Sequence, residues 1–137
     1  MEKSKIRLSA IAIFIVVILF IVTPFVYAGY IYVHHYPEYT LSPYTYWSYN
    51  YGCEWLTFKV TMDNITTNRR LYVEIVERNY TDNSFVAMLW DGYLEGGEYS
   101  DTVSPGNSEN NIWVKVTETD GYTTYFKLHV EGYQYQR

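Results

Sequence analysis

The sequence predicts an all-β fold: a single antiparallel β-sandwich of immunoglobulin-like type with about six or seven strands, preceded by one N-terminal hydrophobic helix. Three observations predict it. Apolar and polar residues alternate in short runs after Trp55, the period of a half-buried strand. Gly, Pro, Asn and Asp separate those runs at regular spacing. Seventeen tyrosines give the chain a composition that suits strands and wet surfaces.

The hydrophobic helix rests on the first 28 residues. Lys3, Lys5 and Arg7 precede an uncharged apolar run over 8–28 that ends Val26-Tyr27-Ala28-Gly29. A cationic start, an apolar body and small residues before Gly29 fit a secretory signal peptide. The run also reaches the roughly 20 residues that a membrane-crossing helix needs, so an uncleaved signal-anchor is the competing expectation. Pro24 favours processing, because it breaks the helix before the cleavage site. Under either reading the basic flank stays inside and the rest crosses. Residues 29–137 are therefore expected to be extracytoplasmic, secreted or membrane-anchored, with the N-terminus inside and the C-terminus outside. The membrane is a transient or permanent partner of this segment.

Beyond residue 28 the chain holds seven basic and fourteen acidic residues, a formal charge of −7. One domain fits that length. The acidic balance argues against nucleic acid or an anionic lipid surface as a partner, since both are bound by clustered Lys and Arg. Cys53 is the only cysteine, so no internal disulfide staples the domain. It reads as a small buried apolar residue rather than a reactive thiol.

Residues 29–54 read as a Tyr-rich extended arm and 55–137 as the sandwich. Within the arm, Tyr30, Ile31, Tyr32 and Val33 alternate and predict one short strand, while Pro37 and Pro43 keep the remainder extended or turned. Leu56, Phe58, Val60 and Met62 predict an inward strand face, followed by a polar turn from Asp63 to Asn68. Leu71, Val73 and Ile75 predict a second strand, and Asn79 to Ser84 another turn. Phe85 to Trp90 is apolar on both faces, as expected of a central strand or of a strand covered on its second side. Tyr99 to Val103 reads as a short edge strand. Ile112, Val114 and Val116 alternate before Asp120-Gly121, and Phe126, Leu128 and Val130 after it. They predict a hairpin with a three-residue Thr119-Asp120-Gly121 loop, which pairs Val114 with Phe126 and Ile112 with Leu128.

Chemical signatures are sparse. His34-His35 with Glu38 offers metal-ligand types, but adjacent residues of an extended chain point to opposite sides, and only His129 could complete the set through folding. Asp91, Glu95, Glu98 and Asp101 cluster around glycines without the spacing of a calcium loop. No metal or other cofactor is expected. No nucleophile elbow or phosphate loop occurs, and a non-enzymatic role is expected. Asn64-Ile65-Thr66 and Asn79-Tyr80-Thr81 are glycosylation sequons in predicted turns.

Two surfaces remain. Tyr44, Tyr46, Trp47, Tyr49, Tyr51 and Trp55 form an aromatic series suited to stacking on sugars or to a protein contact. The arm strand Tyr30 to Val33 could add to a neighbour's sheet edge. The expectation is a non-catalytic cell-surface or envelope interaction module that self-associates through its arm. A small carbohydrate-binding module and a small extracellular hydrolase are the alternatives.

Overall fold

A computed structural model describes residues 29–136. The expected N-terminal helix falls outside the described residues. Eight strands follow in order: β1 (Tyr30–His35), β2 (Glu38–Leu41), β3 (Tyr46–Asn50), β4 (Lys59–Ile65), β5 (Leu71–Arg78), β6 (Phe85–Leu94), β7 (Asn111–Thr117) and β8 (Thr124–Tyr135). All strand pairs are antiparallel and no described residue is helical.

One sheet is built around the long β8, with β4 on one side and β1 and β2 in succession on the other. Between β1 and β2 the Pro37 carbonyl accepts from the Leu128 amide at 2.9 Å. The edge therefore stays continuous where proline, lacking an N–H, is tolerated. The second sheet has the order β3-β7-β5-β6. Phe58, Val60, Met62, Phe126 and Leu128 from the first sheet join Leu71, Val73, Ile75, Ile112, Val114 and Val116 from the second in a single apolar cluster. All of these are fully buried. At about 25 cal/mol per Å² of apolar surface removed from water, that shared cluster is the main force holding the sheets together.

Gly132 is fixed by close approach. A Cβ there would overlap the Thr57 carbonyl, where the chain enters β4 after Leu56 has donated its amide to the Tyr133 carbonyl at 2.8 Å.

Four expectations are corrected. The segment 29–54 is no free arm: its three strands pair within the sheets, and Tyr30–Gln136 is one compact unit. It cannot build a core alone but contributes to the common one, through fully buried Leu41 and through Val33, Trp47 and Tyr51 packed against it. The predicted β7–β8 hairpin does not form. Those strands lie in different sheets, joined by an arch over 118–123, and alternating apolar faces serve an arch as well as a hairpin. Gly121 does take the expected positive φ, at 86°. Phe85 to Trp90 is an edge rather than a doubly covered strand, with Phe85, Val86 and Met88 exposed. Leu56 lies outside the core, about half exposed, because β4 starts only at Lys59. Tyr99 and Val103 fringe β4 through bridges to Thr61 and Phe58.

Candidate functional site

Strand β1 aligns Tyr30 with Tyr135, Tyr32 with Tyr133 and His34 with Glu131 on β8. Alternate residues of both strands face outward, so the first and last strands of the described fold share a face of aromatic and imidazole rings. Tyr30 and Tyr135 meet edge-on at 5.4 Å, and Tyr32 and Tyr133 do so at 4.8 Å. The His34 and His129 rings lie nearly coplanar and end to end through their N···N hydrogen bond, centroids 5.1 Å apart, and Tyr36 stacks on His129 at 4.5 Å. Edge-on and stacked pairs of this kind contribute about 0.5–1.5 kcal/mol each beyond burial. They fasten β1 to β8 from outside the core.

Three potential metal donors converge on this seam. His34 Nδ1 lies 2.8 Å from His129 Nε2, which is 3.1 Å from Glu131 Oε2; His34 Nδ1 is 3.9 Å from the same oxygen. They form the one such three-residue group among the described residues. Burial first, then the neighbouring Glu131 carboxylate, raises the Tyr32 phenol pKa above the ordinary value. His35 turns the other way and bonds the Tyr51 hydroxyl at 2.7 Å. The sequence shows that His34 and His35 diverge, but only the fold shows that His34 meets both His129 and Glu131. Glu38 is not part of the group; it accepts from the Tyr125 hydroxyl at 2.7 Å. Asp91, Glu95, Glu98 and Asp101 do not converge as a group.

The aromatic series is divided by the fold. Trp55 is 3% exposed and packs edge-on against Phe58 at 4.9 Å. Tyr51 also packs on Phe58, and Trp47 on Phe126. Burial raises the Tyr51 pKa well above the ordinary phenol value, with Tyr49 adding to the effect. Tyr49 is exposed beside them, while Tyr44 sits in the turn before β3 and Tyr46 on the outer face of the second sheet. A strand sends successive residues to opposite faces, so a consecutive series cannot form one platform.

That outer face carries a groove of about 350 Å³ lined by Tyr46, Trp113, Phe85, Met88, Arg78 and Lys115 among others. Sequence reasoning missed it, because its residues come from β3, β5, β6 and β7. The sequons differ in setting: Asn64 is exposed at the end of β4, and Asn79 caps the β5–β6 turn by accepting from the Thr81 amide at 2.8 Å. Cys53 is half-buried and free, with its carbonyl accepting from Gln134. No protein-family model matches the chain and no curated protein shows significant similarity to it.

Proposed function

We propose that this protein is a non-catalytic interaction module on the extracytoplasmic side of a membrane, a β-sandwich that binds further copies of itself through the free edge of β1. One observation carries the reading: among the described residues β1 pairs with β8 alone, and its opposite edge is undefended. Native edge strands are blunted by lysine, proline, inward charge or a bulge. Tyr30–His35 has no lysine and no proline, pairs in unbroken register, and exposes 51% of Ile31. The β4 edge, by contrast, is fringed by Tyr99 and Val103, and the β5–β6 pairing is interrupted by bulges. Strand addition at β1 would join copies by main-chain hydrogen bonds, with Ile31 and the tyrosines supplying side-chain contact. The strand does this from within its own domain, not as a detached arm. Export rests on the basic and apolar N-terminal pattern.

The test is sedimentation velocity on the full-length chain in detergent, wild type and Ile31→Lys. The wild type is expected to self-associate and Ile31→Lys to sediment as a monomer with an unchanged circular dichroism spectrum. A monomeric wild type at all concentrations overturns the reading.

A second reading draws on the groove of the second sheet, lined by Trp113 and Tyr46, whose rings already carry the Arg78 and Lys115 cations at 5.9 and 4.5 Å and would stack on a sugar by their remaining faces. Affinity electrophoresis through polysaccharide gels should then retard the wild type but not Trp113→Ala. No retardation of the wild type by any polysaccharide ends this reading.

A further inference from the structure

We infer that His34, His129 and Glu131 form a binding site for a single divalent transition-metal ion of the zinc type, fastening β1 to β8. The inference is independent of the self-association reading. It begins with distances. Zinc held at about 2.0–2.1 Å by nitrogen and oxygen ligands in a tetrahedron separates its donors by about 3.3 Å. The three donor separations, 2.8, 3.1 and 3.9 Å, bracket that edge. Small shifts bring the separations to it, and both imidazole rings turn from their mutual hydrogen bond to aim their nitrogens at one ion.

In the ion-free form the His34 and His129 nitrogens share one N–H···N hydrogen bond at 2.8 Å, and Glu131 Oε2 lies 3.1 Å from His129 Nε2, to the side of that bond. A cation would replace the shared proton once both rings turn toward it. No lysine or arginine within 4 Å neutralises Glu131 among the described residues. Lys59 is its register partner on β4, but the Lys59 ammonium lies over the Tyr99 ring at 4.1 Å instead. Two imidazoles and one carboxylate suit zinc or copper rather than calcium or magnesium, which prefer oxygen alone.

The surroundings hold the donors in place. Tyr36 stacks on the His129 ring and Tyr32 meets the His34 ring edge-on at 4.7 Å; outer contacts of this kind orient ligands and tune affinity. The His34 side chain is 45% exposed, so an ion can enter from solvent and keep a water as its fourth ligand. Because His34 lies on β1 and the other two donors on β8, binding would stabilise the seam between the strands.

Isothermal titration of the full-length chain in detergent with zinc chloride tests the site, together with circular dichroism melting. The wild type should take up one ion per chain and melt at a higher temperature with zinc. His34→Ala and Glu131→Gln should each weaken binding at least about tenfold and lose the zinc-dependent rise in melting temperature. Glu38→Gln, which alters a carboxylate outside the group, should bind as the wild type does. Failure of the wild type to take up zinc saturably, or wild-type affinity in both His34→Ala and Glu131→Gln, overturns the inference.

Discussion

Two glutamates buried at the ends of the core hold loops by gathering backbone amides rather than by pairing with cations. Glu118 is 1% exposed, and its carboxylate accepts from the amides of Tyr44, Asp120, Gly121 and Tyr122 at 2.8–3.1 Å. Glu77 is 2% exposed and accepts from the Gly106 and Asn107 amides and from the Asn110 side chain. Burial alone would push both carboxyl groups up. The converging N–H donors outweigh it and hold both below the ordinary carboxylate value. The native state therefore binds these protons less readily than the unfolded chain does. Their stabilisation is complete above the unfolded carboxyl range, near pH 4.3, and is lost as pH falls through the lower native values. Glu118→Gln, which turns an amide nitrogen toward the backbone donors, should cost about 2–4 kcal/mol at neutral pH. It should also flatten the fall in melting temperature between about pH 5 and pH 3. Thermal melts across that range check it; a variant as stable and as acid-sensitive as the wild type would contradict the role given to Glu118. None of this was legible in the sequence, where Glu118 stands among polar residues beside a turn.

At the scale of elements, periodicity located most strands but not their partners. The inward faces of β4, β5, β7 and β8 were legible, and Phe58, Val60, Leu71, Val73, Ile112, Val114, Phe126 and Leu128 are all fully buried. Alternation states which side of a strand is apolar, not which strand lies beside it. Hence Val114 was paired in expectation with Phe126, whereas the fold pairs Val114 with Ile75 and Tyr49, and Phe126 with Ile65 and Tyr39. The anchor that turns 118–123 into an arch is Glu118, and four hydrogen bonds to one carboxylate leave no trace in periodicity. The apolar run Phe85 to Trp90 misled in the opposite direction. Its outward residues, including Phe85 and Met88, line the open groove rather than a covered face. The strand character of Tyr30 to Val33 was legible, but its integration was not, because its inward residues pack onto a core that lies up to a hundred residues away in sequence.

At the scale of the whole molecule, the chain's two ends of described structure lie side by side, and the features with the clearest chemistry gather along that seam. His34 and His129 are 95 positions apart, so only the antiparallel register of β1 on β8 brings the donor group together. The acidic charge, the single cysteine and the absence of a nucleotide or nucleophile motif were all readable beforehand. The seam needed the fold. In this account the N-terminal strand closes one side of its own sheet and offers its other side to a neighbour. If copies associate as proposed, the same strand joins the domain's stability to that association.

Residue-resolved amide hydrogen exchange of the full-length chain, compared at dilute and concentrated protein, tests this most directly. If β1 is the contact, amides of Tyr30–His35 that face away from β8 should gain protection as concentration rises, while those at the β3 and β6 edges stay as they were. Association with unchanged exchange along β1, or protection appearing at the β3 or β6 edge instead, would contradict it.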